Sequence, residues 1–287
     1  MAKRIDYQSM HSEKHKTKQN ETVIDDDTAL FSSERRQQIM MVVEKERRVM
    51  VSDLRERFAV SDVTIRKDLN WLEAQGLVLR THGGAILNTS VSNPSELSID
   101  VRQQLHHVEK ERIGEVAASM IHDGETIALD ASTTALAIVP FLHTKRDLTV
   151  ITNGVRAGID LLQIPGVSVM LPGGMLRKES HSLVGHWGQS ILEQIHISKA
   201  FVGARGLTLH AGLTDVNAEE VELKQAIVNS AQEVIAVIDS TKWGQVTLAT
   251  FCPIERLQCI ITDTQAPTQM VTQFRNMGID IQIVSAP

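Results

Sequence analysis

The 287-residue sequence predicts an α/β protein with two domains, a small helical domain that ends in a β-hairpin and a larger doubly wound α/β domain. Before residue 88, apolar residues recur at helical spacing and a Gly-Gly pair follows them. Residues 89–99 are rich in Ser, Asn and Pro, as linkers are. Beyond them, short aliphatic strands alternate with helices. We therefore expect a disordered polar extension over 1–30, a first domain over 31–88, a linker over 89–99 and a second domain over 100–287.

The first domain begins with two predicted helices. The first is expected over Glu34–Glu46, with Ser32 or Ser33 as its N-cap. A short extended piece over Val49–Val51 follows, and Ser52 is expected to cap the second helix. The side chains expected to face inward on the two helices are Ile39, Val42, Val43, Leu54 and Phe58.

A third helix and a hairpin complete this domain. Ser61 is a good N-cap, and Ile65, Leu69 and Leu72 recur at helical spacing on one face. Gly76 is typical of a C-terminal helix stop. Beyond it, residues 77–80 and 85–87 can pair as a hairpin through Thr81-His82-Gly83-Gly84, since the two glycines permit a tight turn.

Two helices joined by a very short turn, followed by a hairpin, indicate a winged helix-turn-helix. The exposed arc of the third helix carries cationic side chains for phosphates and short polar groups for base edges. A small helical bundle with a solvated charged face is the alternative. The candidate DNA-binding residues are Ser61, Val63, Thr64, Arg66, Lys67, Asn70, Arg80, His82 and Gly83.

Composition narrows the class of protein. The net charge is −6, but the segment 34–88 has a small excess of basic residues, as an oriented DNA-binding domain needs. The two cysteines, Cys252 and Cys259, have no CxxC spacing, so neither a disulfide framework nor a metal site is expected. With no long apolar run and no apolar N-terminus, we expect no membrane association and a cytoplasmic location.

The second domain opens with a long predicted helix over Asp100–His122, followed by seven short aliphatic strands with helices between most of them. Such strands are typical of a parallel sheet buried on both faces. The predicted strands are Glu125–Asp130, Leu148–Asn153, Val167–Leu171, Ala200–Gly203, Val234–Asp239, Cys259–Thr262 and Asp280–Val284.

Ligands of such sheets bind at the carboxyl ends of the strands, and small polar or glycine-rich elements recur there. Hydroxyl groups and free backbone amides at a helix start favour a phosphate, and a following lysine could meet an anion. Each element alone could be an ordinary cap or turn. Arg177, Glu219 and Glu222 could complete the pocket. The candidate effector-binding residues are Asp130, Ser132, Thr133, Thr134, Thr152, Asn153, Gly173, Gly174, Arg177, Glu222 and Lys242.

The run VSDVTIRKDLNWLEAQGLVLRTHGGAIL resembles the DNA-binding signature of the DeoR family of bacterial transcription regulators. The landmarks LDASTT, ITNG, LPGGMLR, SLVG, KAFVGA and DSTKWG resemble that family's effector domain. The resemblance implies a domain related to ribose-5-phosphate isomerase, a phosphorylated sugar as inducer, and phosphate contact by Ser132–Thr134. Two positions depart from the family pattern. Lys67 replaces a frequent arginine, and Arg205 stands where an acidic residue often follows KAFVGA, which suggests a different sugar, an acidic substituent on it or a weaker effector response.

Two functions remain open from the sequence. The first is a regulator, by family resemblance a repressor of a carbohydrate operon, that a phosphorylated sugar releases from double-stranded operator DNA. It would need no cofactor, and its coupling is expected in the segment Asn88–His122. We also expect a homodimer or homotetramer formed by the second domain, with the helix from Asp100 contributing, because one winged domain contacts few base pairs. The second function is a sugar-phosphate isomerase with a DNA-binding appendage, in which Asp130, Asp239 or Glu222 would be the base.

Overall fold

The computed structural model describes residues 26–74, 76–88 and 99–285. Most of the predicted polar extension, residues 1–25, and the predicted linker residues 89–98 lie outside the described residues. The first domain consists of three helices and a three-stranded antiparallel sheet in the order β1-β3-β2. Its elements are α1 (Asp26–Glu46), β1 (Arg48–Met50), α2 (Val51–Phe58), α3 (Asp62–Ala74), β2 (Val78–Thr81) and β3 (Gly84–Leu87).

The turns of this domain follow from local chemistry. Ala59 adopts a left-handed conformation at the end of α2 and turns the chain towards α3. The Ser61 hydroxyl then accepts a hydrogen bond from the Thr64 amide at 3.2 Å, which confirms the predicted N-cap. Gly76, with φ of 73°, ends the α3 region as expected. The hairpin turn is His82-Gly83, because the flanking residues pair within the ladder.

Two details of the helix starts are wrong in the sequence-based prediction. Helix α1 begins at Asp26, so Ser32 and Ser33 lie inside it rather than at its cap. Ser52 also lies inside α2, whose N-cap residue is Met50, and its hydroxyl bonds to Asp53. Serine is compatible with early helical positions as well as with caps, so its presence alone does not fix a boundary.

The second domain contains a seven-stranded parallel sheet with a small antiparallel sheet and a separate two-stranded hairpin beside it. The remaining helices are α4 (Ile99–Gln104), α5 (His107–Ser119), α6 (Thr133–Leu136), α7 (Val155–Leu161), α8 (His186–Leu192), α9 (Ala218–Ser230) and α10 (Thr268–Asn276). The remaining strands are β4 (Thr126–Leu129), β5 (Leu148–Thr152), β6 (Val167–Met170), β7 (Met175–Arg177), β8 (Ser182–Val184), β9 (Ile197–Val202), β10 (Gly206–Thr208), β11 (Gly212–Asp215), β12 (Ala231–Val237), β13 (Ala249–Cys252), β14 (Cys259–Asp263) and β15 (Asp280–Val284).

The large sheet has the strand order β15-β14-β12-β9-β4-β5-β6, and every neighbouring pair is parallel. Its seven members are the seven predicted strands, which confirms the doubly wound α/β fold. The order reverses between β4 and β9, so this is the switch point at which such sheets bind ligands. The antiparallel sheet β10-β11-β13 and the hairpin β7-β8 are additions that the sequence analysis did not predict.

The single helix expected over Asp100–His122 is instead two helices, α4 and α5. His106 has φ of 50° and breaks the helical path between them. The buried Lys110 ammonium donates to the carbonyl groups of Arg102 and Leu105, so it satisfies the last carbonyls of α4. The Lys110 side chain therefore links the end of α4 to α5.

Candidate functional sites

The third helix of the first domain presents the predicted polar face to solvent. Val63 is 62% exposed, and Arg66, Lys67 and Asn70 are also exposed. Ile65, Leu69 and Leu72, on the opposite face, are completely buried, as predicted. Val63, Arg66, Lys67 and Asn70 thus share one exposed face suited to a DNA groove, while the exposed acids Asp62 and Glu73 lie at the two ends of α3.

Three predicted residues serve the local structure as well. The Ser61 and Thr64 hydroxyl groups lie 2.8 Å apart and bond to each other at the start of α3. The Arg80 guanidinium donates to the Gly84 carbonyl and fixes the wing turn. His82 is exposed at the tip of that turn, beside Gly83, and is the wing residue best placed to reach a DNA backbone.

An ion-pair cluster that the sequence analysis missed fixes the orientation of α3. The Asp68 carboxylate, which is 1% exposed, accepts from Arg35 at 2.6 Å and from Arg36 at 2.8 Å. Arg36 also lies 4.8 Å from the ring centre of Trp71. Since both arginines belong to α1, this cluster ties the DNA-facing helix to the first helix of its domain.

A cavity of about 530 Å³ lies at the carboxyl ends of the large sheet, next to the switch point. Its walls come from the loops after β4, β5, β9 and β12, from α4 and α5, and from the small antiparallel sheet. A volume of this size is typical of small-molecule sites. Its charged lining residues are Arg102, His106, Lys110, Arg205, Asp215, Glu220, Lys224, Asp239 and Lys242.

The loop after β4 lines the cavity with Ser132, Thr133 and Thr134. The Ser132 hydroxyl accepts from the Ala135 amide at 3.1 Å, so it caps the following helix. That helix, α6, is a single turn. The Thr133 and Thr134 amides have no acceptor among the described residues, and both can donate to an anion in the cavity.

Buried Lys224 holds the opposite wall together. Its ammonium lies 2.9 Å from Asp130, 2.6 Å from Asp215 and 2.9 Å from the Gly203 carbonyl. Although burial opposes the charged form, the two carboxylates raise the pKa of Lys224 above its ordinary value. The pKa of Asp215 is lowered, because Lys224 and Arg205 outweigh the cost of burial. Lys224 and Asp215 are therefore both charged near neutral pH.

A second charged group surrounds Asp239 at the end of β12. Burial opposes its ionisation, but Lys242, Lys110 and His106 lower the pKa of Asp239 well below its ordinary range. The Lys242 ammonium lies 3.5 Å from the Asp239 carboxylate and lines the cavity as expected. Burial and nearby positive charges lower the pKa of Lys110 to about 7, so its charge changes near physiological pH.

The structure brings together only part of the predicted effector site. Ser132, Thr133, Thr134, Asn153 and Lys242 line the cavity. Asp130 and Thr152 are fully buried beneath it, where Asp130 accepts from the Gly203 amide at 3.1 Å. Gly173, Gly174, Arg177 and Glu222 do not line the cavity.

Three of those four residues, Gly174, Arg177 and Glu222, make other contacts in the fold. A side chain at Gly174 would meet the Val184 carbonyl at 2.2 Å, so this glycine permits close packing against β8. The Arg177 guanidinium bonds to Glu220 at 3.1 Å from outside the cavity. Glu222 is exposed and accepts from Gln189. Of the acidic residues of α9, Glu220 rather than Glu219 or Glu222 faces the cavity.

The charged cavity residues that sequence reasoning missed lie on α4, α5, α9 and β11 and at the junction of α4 and α5: Arg102, His106, Lys110, Asp215, Glu220 and Lys224. A signal was present in α9. Glu220 and Lys224 recur at i and i+4 in register with buried Ile227, so both fall on the apolar stripe of the helix. Charged residues on a buried stripe indicate a paired or functional site.

The described residues hold neither a metal cluster nor a membrane-spanning helix. Over residues 26–74, 76–88 and 99–285, no cluster of three or more His, Cys, Asp or Glu side chains could hold a metal ion. In the same ranges, no helix is both long enough and apolar enough to span a membrane. Burial raises the pKa of the Cys252 and Cys259 thiols to about 12.

A winged DNA-binding domain joined to a domain with a charged ligand cavity defines a ligand-sensing transcription regulator. Comparison with known families agrees: the DeoR-like helix-turn-helix model matches residues 35–91, and the DeoR C terminal sensor domain model matches residues 105–264. The chain belongs to the DeoR family of transcriptional regulators.

Relatives of this chain align along most of their length. The HTH-type transcriptional regulator GolR of Listeria innocua is 34% identical, over 84% of this chain and 94% of its own. The putative aga operon transcriptional repressor of Escherichia coli O157:H7 is 31% identical, over 84% and 90%. The HTH-type transcriptional repressor GlcR of Bacillus subtilis is 34% identical, over 77% and 84%.

Among solved structures, ribose 5-phosphate isomerase A of Methanocaldococcus jannaschii aligns with 47% of this chain and 53% of its own. The TM-score is 0.34 and the identity 16%, a level of similarity that carries no information on activity.

Proposed function

We propose that this regulator represses a carbohydrate catabolic operon in the cytoplasm and that a phosphorylated sugar, bound in the cavity, releases it from its operator. Two of the relatives named above are called repressors, and one of these is named for the aga operon. The observation that carries the proposal is the cavity itself, a charged recess at the switch point of the parallel sheet.

The polar groups of the cavity suit both parts of a sugar phosphate. The free amides of Thr133 and Thr134 and the ammonium of Lys242 suit a phosphate group. The Oδ1 atom of Asn153 and the hydroxyl of Thr247 are buried without a partner in the described part of the chain. Unpaired buried acceptors are costly, and a sugar hydroxyl would satisfy them.

Repression and release require that the effector bind one conformation better than the other, since equal affinity shifts nothing. Helices α4 and α5 supply the physical link. They lie directly after residues 89–98, and they line the cavity with Arg102, His106 and Lys110. An effector that contacts these residues changes the contacts of α4 and α5, the helices that follow the segment leading to the DNA-binding domain.

The geometry does not favour the isomerase alternative. The bases named for that alternative are carboxylates, and such a base needs access to the substrate and a pKa near neutrality. Asp130 is fully buried and engaged by Lys224, and the pKa of Asp239 lies far below neutrality. Glu222 lies outside the cavity. The relatives, moreover, are transcription regulators.

We also propose that the regulator acts as a homodimer or homotetramer through its second domain. Helix α4 and the start of α5 line the cavity, so another surface is the better candidate for the contact. Large exposed apolar side chains gather near β6, the edge strand of the large sheet. They are Ile159, Leu162, Met170, Leu171, Met175, Leu176, Trp187 and Ile191. A monomer by light scattering at micromolar concentration would contradict this proposal.

The test of the function begins with operator sites selected from random DNA by the purified full-length protein. Anisotropy of a labelled operator is then followed with pairs of compounds that differ only in the phosphate, such as glucose and glucose 6-phosphate. At least one phosphorylated sugar should lower operator affinity and raise the melting temperature of the protein, while its unphosphorylated partner does neither. If a broad panel of sugar phosphates changes neither quantity, the proposal is wrong.

A further inference from the structure

One side chain at the junction of α4 and α5 contacts both domains. Leu105 is half-buried and lines the cavity of the sensor domain. The same side chain packs against the hydrophobic core of the DNA-binding domain. That core includes Ile65, Leu69 and Leu72, which form the buried face of α3. Leu105 therefore lies between the cavity and the residues that support the DNA-facing helix.

Leu105 differs in this respect from the other side chains around that core. The other partly buried apolar residues that pack against it are Phe58, Val60, Trp71 and Leu87. All four belong to the DNA-binding domain, and none of them lines the cavity. Within the described part of the chain, Leu105 is thus the residue that the cavity and this core have in common.

The backbone around Leu105 is held by groups of the sensor domain. The Ile99 amide at the start of α4 donates to the Glu179 carbonyl at 2.9 Å, and Ser180, from the same turn, lines the cavity. At the other end of α4, the Lys110 ammonium donates to the Leu105 carbonyl and also lines the cavity. Both ends of α4 are therefore supported by elements of the cavity wall.

An anionic ligand in the cavity acts on Leu105 in two ways. An ammonium group bonds more strongly to a phosphate oxygen than to a neutral carbonyl, so the ligand draws Lys110 away from the Leu105 carbonyl. Atoms that fill the recess also contact the Leu105 side chain directly. Because closely packed side chains have few alternative arrangements, a shift of Leu105 on the cavity side changes its packing on the other side.

We propose that Leu105 is the positioning residue that transmits effector binding to the DNA-binding domain. In the operator-binding conformation its side chain packs against the core behind α3, and the effector favours a conformation in which that packing is lost. The inference rests on the proposed function and names the residue that carries its regulation. Coupling between two sites is reciprocal, so operator DNA must weaken effector binding by the same factor, typically about 5- to 150-fold.

The test measures effector affinity by calorimetry for the full-length protein, both free and saturated with operator DNA. The probe is glucose 6-phosphate if this compound lowers operator affinity in the test of the function, and otherwise the sugar phosphate of that panel with the largest effect. Wild-type affinity for the probe should be at least about fivefold lower on operator DNA. Leu105→Ala should reduce this ratio to less than about twofold, because the shortened side chain no longer reaches both surfaces. The ratio cancels any change that the truncation causes in the intrinsic affinity of the cavity.

Two matched leucines separate transmission from stability. Leu87 packs against the core of the DNA-binding domain and Leu209 against that of the sensor domain, and neither lines the cavity. Leu87→Ala and Leu209→Ala should therefore keep the wild-type ratio even where they lower the melting temperature. Leu105→Met, which nearly conserves the volume and stays apolar, should keep it as well.

A second measurement does not depend on the folding of Leu105→Ala. In the wild-type protein with labelled leucine methyl groups, the Leu105 signals, assigned with Leu105→Met, should shift when operator DNA is added without any sugar phosphate. Signals that do not respond to the operator, or an unchanged ratio in Leu105→Ala, would overturn this inference and leave the proposed function standing. If no sugar phosphate of the panel alters operator binding, the proposed function and this inference fail together.

Discussion

The two domains use buried charge in opposite ways. In the DNA-binding domain, Asp68 is matched by Arg35 and Arg36, so the buried acid is satisfied within the protein and α3 is held in place. In the sensor domain the signs are reversed, because one buried cation, Lys224, lies between two carboxylates, Asp130 and Asp215, and Lys224 and Asp215 line the cavity. The first arrangement orients a helix, and the second holds together a wall of the cavity.

The largest expected effect comes from removing the buried cation of the sensor domain, Lys224. Lys224→Met leaves Asp130 and Asp215 buried without a counter-charge and should cost about 3–5 kcal/mol of that domain's stability. Hydrogen exchange should show lost protection in β9 and β12 but not in α3. Lys178→Met, at an exposed position, is the control. Unchanged protection in β9 would mean that Lys224 does not hold the cavity wall.

A negative charge placed in the phosphate loop should act on the ligand instead of the fold. Thr133→Glu should weaken effector binding by about 100-fold, or about 3 kcal/mol, by repulsion of the phosphate. Operator affinity should persist, so the variant should repress even with effector present. Thr268→Glu, exposed at the start of α10, should respond like the wild type. A fully inducible Thr133→Glu protein would move the ligand site elsewhere.

Breaking the ion-pair cluster of the DNA-binding domain tests whether its buried charges hold α3 in place. Asp68→Asn removes the acceptor charge of two partly buried arginines and should destabilise this domain by about 2 kcal/mol. Operator binding should weaken, and exchange protection should fall in α3 while effector affinity stays constant. Asp53→Asn, at an exposed position, serves as the reference. Intact protection of α3 would show that apolar packing alone orients it.

The exposed face of α3 should affect only DNA. Arg66→Ala should weaken operator binding by about tenfold and lower the slope of log affinity against log salt by about 1. Effector affinity should not change. Arg112→Ala, an exposed arginine of the sensor domain, is the matched control. Wild-type operator binding by Arg66→Ala at two salt concentrations would refute the assignment of the recognition helix.

The smallest expected effect is a pH dependence of effector binding. Because the pKa of Lys110 is about 7 in the empty cavity, an anionic ligand that favours its charged form binds with uptake of a proton. Affinity should therefore fall by about fivefold between pH 7.5 and 8.5, a range in which the ligand phosphate is already ionised. Lys110→Gln should abolish this fall. An equal fall in effector affinity with pH in the wild-type protein and in Lys110→Gln would exclude Lys110 as its cause.

Sequence patterns predicted the regular elements of both domains because those patterns are local. Within eight residues, Ile65, Leu69 and Leu72 define the buried face of α3. Each strand of the large sheet is a short aliphatic run. The break at His106 is less visible, since a non-glycine residue with positive φ carries little sequence signal. Tertiary contact with Lys110 compensates for it.

The cavity was harder to predict because its walls converge from distant segments. Ser132 and Lys242 follow strands and were found from that position. Lys224 lies on α9, where charged residues are exposed by default, yet this helix is packed between α8 and β13 and is buried on most of its surface. Arg102 lies near the start of the segment that was predicted as one long helix. Only the assembled fold shows that both side chains face the same recess.

The α4–α5 junction has a consequence for how the two domains are connected. The Lys110 ammonium bonds to the carbonyl groups of Arg102 and Leu105 and also lines the cavity. One side chain therefore touches both the recess and the helix that follows residues 89–98, so no chain of intermediate residues has to join them.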